Sequence, residues 1–428
     1  MTRVELSDDQ QLLQETTRRF LEATCPLAEV RRVAQEVPAG FERAWWRRAA
    51  ELGWTGLLVP EAFGGSAVSG SGVADLALVA EEMGRAVAPG PLAPVALAAA
   101  DLAAGGSAAV RDRWLGPLLA GEAVAAWCRE EPGAWDGSGG GCRLEPDGSG
   151  GRLVGTKGPV EAGAEADVLV VTATAGDRLV QVVVPADAAG VQVEPLTGLD
   201  LVRRHATVSF DGVAVPGDAV LAAGGPAGAG GGAGTGSADT VPAAGDLLPV
   251  AVLVQCAEMV GAAAAMLERT LAYAFDRYSF GRPLASYQAL KHRFADMTMW
   301  LHASQALARG AARALDEARA GLGDPAAASE LVHAAKLYAG EHVPRLLQDC
   351  VQLNGGIGVT WEHDLHLYLR RAVADRNLLG LPADHAECIA AGLPLHDSPE
   401  EARMAESSGW AEGEGAGTGP APWVAGRR

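Results

Sequence analysis

The sequence has no Cys-x-x-Cys pair among Cys25, Cys128, Cys142, Cys256, Cys350 and Cys388, which argues against a zinc or iron–sulfur framework and for free thiols in a reducing compartment. His-Glu-x-x-His is also missing. His363 and His366 lie three apart, a spacing that a metal accepts, but packing or helix-surface histidines are the preferred reading and no metal is expected. Positive charge is scarce: Lys+Arg is 34 against 53 for Asp+Glu, a net charge of −19. Such a chain repels phosphate backbones, so nucleic acid is not an expected partner, although a few arginines still suffice for a local anion site. Purely apolar runs such as Leu247 to Val254 are far too short to span a bilayer. The first residues show no signal-peptide core, so a cytoplasmic location is expected. Gly-x-Gly-x-x-Gly is missing from any strand–helix junction, and strands and helices do not alternate singly, which argues against a Rossmann domain. The Gly-rich stretch at 224–236 lacks Gly-Lys-Ser/Thr and is not a phosphate loop.

What is present is apolar and long: 428 residues, 49% hydrophobic and 20% charged, enough for two or three domains. Residues 1–125 read as an N-terminal helical domain. Ser7 is placed to cap a helix carrying Leu12, Leu13, Thr16, Phe20 and Leu21. Leu76, Val79 and Met83 repeat the pattern ahead of Gly84, read as a helix stop. Residues 126–221 change to short β-branched runs broken by Asp-Gly, Ala-Gly-Asp and Pro-Ala-Asp, the signal of a middle antiparallel β domain. Residues 222–245 are Gly/Ala-rich and are expected to form a flexible loop. Residues 246–395 read as a C-terminal, four-helix-bundle-like domain, with long helices over about 247–279, 283–321 and 325–353 and a kink expected at Pro344. Residues 396–428 are expected to be a disordered tail. The fold class is α+β.

Two segments carry chemistry. One runs from Arg277 through Phe280-Gly281-Arg282-Pro283 to Gln288, His292 and Asp296. The other is Gln352-Leu353-Asn354-Gly355-Gly356-Ile357-Gly358-Val359-Thr360-Trp361-Glu362. An arginine at a helix junction can hold a pyrophosphate bidentately. Paired glycines let a backbone approach a flat or charged ligand closely, and helix N-termini add positive dipole. On these grounds alone, ligand binding and plain helix termination are about equally supported.

Together, Arg277-x-x-Phe280-Gly281, Gln288-x-x-x-His292-x-x-Ala295-Asp296-Met297 and Gln352-x-x-Gly355-Gly356-x-Gly358-x-Thr360-x-Glu362 resemble the acyl-CoA dehydrogenase family. Pro60-Glu61-x-Phe63-Gly64-Gly65, Gly155-Thr156-Lys157 and Phe210-Asp211-Gly212-Val213-x-Val215-Pro216 are similar too. The resemblance covers residues 1 to about 395 and implies the acyl-CoA dehydrogenase fold, with FAD bound at a subunit interface. It implies that Arg277 and Phe280 meet the adenosine diphosphate part with Gln288 nearby, and that Gln352, Gly355 and Gly356 hold the pyrophosphate across a dimer. It implies an acyl-CoA substrate, removal of its α-proton by a carboxylate with hydride transfer to the flavin, and delivery of electrons to an electron-transfer flavoprotein or similar carrier.

The base is where the resemblance breaks. The usual Glu-Gly-Thr position reads Leu379-Gly380, and the alternative position on the helix leading into Arg277 is Ala251. Glu258 and Asp375 are the candidate catalytic substitutes, each a helical turn or two away on the same face. The plain readings are a buried hydrogen-bonding partner for Glu258 and an arginine partner for Asp375. In the β domain, Glu130 replaces the family's hydroxyl in Cys128-Arg129-Glu130-Glu131-Pro132, and Val160-Glu161-Ala162-Gly163 replaces the segment after Gly-Thr-Lys. The expected function is therefore an FAD-dependent acyl-CoA dehydrogenase, as a homo- or hetero-oligomer with a related subunit. The alternatives are a catalytically impaired FAD-binding partner subunit, a related flavin oxidase or monooxygenase, and a non-enzymatic scaffold.

Overall fold

The computed structural model describes residues 5–137, 139–148, 150–221 and 247–392. Ser7 opens the first helix as expected: its hydroxyl accepts from the Gln10 backbone, and the Gln10 side chain accepts in return from the Ser7 N–H. That helix, α1 (Asp8–Thr24), buries Leu13, Thr17 and Leu21, whereas Leu12 faces solvent. It is followed by α2 (Leu27–Glu36), α3 (Arg43–Ala50), α4 (Gly72–Ala86), α5 (Leu92–Gly105) and α6 (Ala108–Leu119).

The middle domain is a seven-stranded sheet: β1 (Ala125–Cys128), β2 (Arg143–Pro146), β3 (Gly150–Glu161), β4 (Val168–Ala175), β5 (Arg178–Pro185), β6 (Val191–Leu196) and β7 (His205–Pro216). Most pairs are antiparallel, but β1 runs parallel to β4, with Ala125 opposite Val168. The sheet is thus mixed, where the sequence suggested antiparallel pairing throughout. Alternation marks which residues face inward but carries no information on strand direction.

The C-terminal helices are α7 (Leu248–Asp276), α8 (Gln288–Arg319), α9 (Pro325–Asn354), α10 (Leu365–Asn377) and α11 (Pro382–Gly392). Between α7 and α8 lies a small hairpin, β8 (Tyr278–Ser279) and β9 (Arg282–Pro283). α9 continues as one helix through Pro344. Pro283 precedes a short 3-10 turn, Leu284–Ser286, and α8 starts only at Gln288. The segments 222–245 and 396–428 lie outside the described residues.

α7 is the axis of the molecule. It is long and apolar enough to cross a membrane, but its apolar window is wholly buried, so here it is a core helix. Its closest neighbour is α4, and two glycines make that approach possible. A Cβ at Gly84 would collide with the Glu258 carbonyl oxygen, and one at Gly261 with the Glu81 carbonyl oxygen. Gly84 is therefore a contact glycine inside α4 rather than a helix stop; the helix ends at Val87 in a left-handed conformation. This backbone contact sets the position of Glu258.

Candidate active site

The motif residues assemble at the two ends of α7. At its C-terminal end Arg277 is the cap, its N–H bonded to Tyr273 O at 2.8 Å. Its guanidinium is exposed and has no side-chain partner among the described residues. The Phe280-Gly281 turn has positive φ at both residues, +50° and +80°, the geometry of a two-residue hairpin loop. That turn holds the Phe280 ring in solvent, 96% exposed. The Tyr287 hydroxyl donates to Ser279 O at 2.6 Å and ties the hairpin to the start of α8, where Gln288 pairs with His292 at 3.0 Å. Gln352, Gly355 and Gly356 sit on the exposed end of α9, and a Cβ on either glycine would meet nothing within 4 Å. Buried Asn354 anchors that end to α7 through a 3.1 Å bond to Thr270, two turns before Arg277. Sequence reading passed over Asn354; it sits inside the Gln-x-x-Gly-Gly motif as a structural residue.

Glu258 and Asp375 are brought together, but far from Arg277. Glu258 lies 19 residues before Arg277 on one helix, about 28 Å at 1.5 Å per residue. Both carboxylates are gripped by Arg203, which arrives from the β6–β7 connection. Arg203 Nη1 bonds Asp375 at 2.6 Å, Nη2 bonds Glu258, and Nε lies 3.4 Å from Glu161. Asp200 fixes the connection by accepting from Val202 N at 2.8 Å and Arg203 N at 3.1 Å, and is itself bonded by Arg371 of α10. The plain reading of Glu258, a buried hydrogen-bonding partner, matches what the structure shows. For Asp375 the partner is an arginine, but Arg203 rather than a neighbour in sequence.

This cluster forms one wall of a cavity of about 50 Å3 between the sheet, α5, α7 and the turn after α10. Ala251 and Leu379, the two positions read as base sites, both line it, as do Glu130, Glu161 and Glu258. Asp375 is fully buried behind Arg203 and is not among the lining residues. Burial pushes Glu161 up to about 7 against the pull of Arg203, and Asp375 up to about 6. Asp200 goes the other way: burial opposes, but Arg371 and Arg203 together hold it below the ordinary carboxylate range. Burial works against charge on Arg203 too, yet Glu161, Glu258 and Asp375 keep its pKa well above the usual value.

The opposite wall is the Leu378–Leu379–Gly380 turn. Leu379 holds φ +53°, and a Cβ on Gly380 would press on the His385 ring and on Trp135. Glu130 accepts from Leu379 N at 2.9 Å, and burial pushes its pKa up to about 7. His385 Nε2 donates to Leu379 O at 2.9 Å, which leaves its Nδ1 to accept from His333 Nδ1 at 2.7 Å. Burial lowers His385 to about 4, so this pair stays neutral near pH 7. Lys336, fully buried, donates to Leu378 O at 2.7 Å and Gln255 Oε1 at 2.8 Å. Sequence reading missed Arg203, Lys336 and His385. The only available signal was Asp200 three residues before Arg203 at the mouth of a β run.

Elsewhere in the middle domain, the Glu-Pro and Gly-Thr-Lys motifs meet as a buried ion pair. Lys157 Nζ lies 2.6 Å from Glu131, whose oxygens also accept from Gly141 N and Cys142 N. A roomier groove of about 480 Å3 beside α4 and α8 contains none of the motif residues.

Residues 7–122 match the family model for the acyl-CoA dehydrogenase N-terminal domain, and residues 243–393 that for the C-terminal domain. Acyl-CoA dehydrogenase IpdE2 of Mycolicibacterium smegmatis is 30% identical over 390 residues, covering 90% of this chain and 99% of its own. The chain belongs to the acyl-CoA dehydrogenase family. Among solved structures of the family, the Tcur3481-Tcur3483 steroid ACAD is 27% identical at a TM-score of 0.75, over 94% of this chain and 99% of that one. A glutaryl-CoA dehydrogenase from Mycobacterium smegmatis in complex with FADH2 shares the acyl-CoA dehydrogenase fold, with a TM-score of 0.75 at 23% identity over 91% of this chain and 95% of that one.

FAD is the cofactor that acyl-CoA dehydrogenase membership indicates. The exposed Arg277 and the open Gly355-Gly356 backbone suit a phosphate-bearing half of such a ligand.

Proposed function

We propose that this chain is the partner subunit of a heteromeric, FAD-dependent acyl-CoA dehydrogenase, and that a related chain carries the base. One observation carries the reading: Ala251 and Leu379 line one cavity, and both are apolar. Of the acids around it, Glu258 and Asp375 each give an oxygen to Arg203. Under this reading the two candidate bases serve Arg203 and not a substrate. Arg277, Phe280, Gln288, Gln352, Gly355 and Gly356 then hold the adenosine diphosphate half of FAD at the interface. Phe280, held in solvent by its hairpin, is placed to be covered by another subunit. The similar Tcur3481-Tcur3483 protein is named with two components and as a steroid enzyme, which supports a heteromer acting on a bulky, ring-bearing acyl-CoA. Electrons from the assembly go to an electron-transfer flavoprotein or similar carrier.

A second reading has one observation in its favour. Glu130 lines the cavity, has no basic side chain bonded to it among the described residues, and is raised to about 7 by burial. A lone-acting enzyme would use it as the base. The decisive experiment purifies the chain alone and with a base-bearing family chain, then follows flavin reduction anaerobically with ring-bearing and straight-chain acyl-CoAs. The expected outcome is reduction by the pair and none by the lone chain. Rapid reduction by the lone chain, lost in Glu130→Gln, would establish the second reading instead. Oxygen consumption without a carrier would indicate an oxidase.

A further inference from the structure

The chain between α9 and α10 holds its shape with little help from the core. Ile357, Val359 and Trp361 are all exposed, Gly355 takes φ +65°, and the internal bonds are local, such as Thr360 N–H to Ile357 O at 3.1 Å. Asn354 ties the start of the segment to α7. The other end is held from the N-terminal domain. Arg31 of α2 donates from Nη1 to Trp361 O at 2.8 Å and from Nη2 to Glu362 O at 3.2 Å. It also donates from Nε and Nη2 to Asp364 Oδ1, at 3.2 and 2.6 Å. One side chain thus grips a single short segment 330 to 333 residues away. We propose that Arg31 is a positioning residue for the glycine turn: a clasp from the N-terminal domain that keeps Gly355 and Gly356 in a ligand-ready shape. The proposal rests on the reading in which that turn holds the adenosine diphosphate half of FAD.

A backbone that binds phosphates does so through N–H groups, and it binds best when their directions are set before the ligand arrives. Ordering a loose turn during binding weakens affinity. The chemistry of Arg31 suits this task. A guanidinium is planar and offers five N–H groups in a fixed fork, so one side chain can reach two carbonyls and a carboxylate together. Two of its acceptors are main-chain oxygens, so it fixes the path of the backbone and not merely a side chain. Asp364, at the start of α10, offsets the positive charge. The adjacent Arg32 points to local partners instead, Glu29 and Glu42. A second hold acts on the Trp361 ring, which stacks on His366 of α10 at 4.6 Å.

Two measurements on full-length protein test the clasp. Hydrogen–deuterium exchange at short labelling times compares wild type with Arg31→Ala. Faster exchange is expected in residues 355–364, while α7 and the sheet keep their protection. FAD is then titrated into the apo form of the assembled enzyme. Arg31→Ala should bind it roughly 3- to 10-fold more weakly. Arg31→Lys keeps the charge but not the fork and should recover only part of the affinity. Unchanged exchange in 355–364, wild-type affinity in Arg31→Ala, or full recovery in Arg31→Lys overturns the proposal. Gly356→Asp separates it from the reading beneath it. A Cβ there meets nothing within 4 Å, so the fold should tolerate the change, while the new carboxylate would repel a phosphate. Wild-type FAD affinity in Gly356→Asp removes the turn from the cofactor site, and the reading and the clasp fall together. A loss in Gly356→Asp with none in Arg31→Ala defeats the clasp alone.

Discussion

The backbone N–H of Leu379 donates to the Glu130 carboxyl at 2.9 Å. An apolar side chain offers no proton chemistry, and the Leu379 main chain serves to hold an acid from a distant segment, 249 residues away. Among the described residues no basic side chain is bonded to that acid, and burial dominates and raises its pKa to about 7. The cavity retains carboxyl groups but spends them on closing itself.

The pH dependence of Glu130 follows from that shift. A carboxyl raised from its ordinary value of about 4.3 to about 7 binds a proton in the folded chain that the unfolded chain has released. Its contribution to stability is greatest at low pH and is lost as pH rises from about 4 to 7. Glu130→Gln keeps an acceptor for Leu379 N and removes the titration. The stability of wild type minus variant, from urea unfolding, is expected to fall by up to about 1.4 kcal/mol per pH unit across that window. A difference that is flat or rises with pH contradicts the assignment.

Arg203→Ala leaves Glu161, Glu258 and Asp375 facing one another in a buried space. Removing one member of a buried ion cluster typically costs about 3–5 kcal/mol. Urea unfolding of the full chain at pH 7.5 should show a loss of that order. A loss below about 1 kcal/mol would mean that the cluster is not holding the domains together.

Arg277→Ala removes an exposed guanidinium with no side-chain partner among the described residues, so the fold should be unaffected. A charge-assisted phosphate contact is worth about 1.5–3 kcal/mol, roughly a 10- to 150-fold loss in FAD affinity. Flavin content of the purified heteromer, with an unchanged melting midpoint, checks this. Unchanged flavin affinity removes Arg277 from the binding site.

Gly84→Ala tests how α4 positions Glu258. The new Cβ would collide with the Glu258 carbonyl oxygen, so the two helices must separate. Overpacking of this kind costs about 1–3 kcal/mol. Thermal unfolding should shift down accordingly, and Gly261→Ala should do the same at the Glu81 contact. Neutral outcomes at both positions would show that the α4–α7 approach is not tight.

The sequence by itself determined the helix–sheet–helix plan, the Ser7 cap, the Arg277 hairpin and the glycine turn after α9. Each is set by residues within a few positions of one another: a hydroxyl ahead of apolar periodicity, a two-residue loop needing positive φ, a helix end that glycine can open. The sequence also singled out Ala251 and Leu379, the two apolar positions where the resemblance would put a base. It did not determine that they face one cavity, because Ala251 reaches it through helix packing allowed by Gly84 and Gly261, and Leu379 through a turn fastened by Glu130, Lys336 and His385. Nor could it pair Glu258 and Asp375 with Arg203, which lies 55 and 172 residues away from them. Local pattern records backbone preference and burial. Which buried charges neutralise one another depends on distances that exist only after the sheet and the helices have packed, and only the tertiary structure decided that they close this cavity.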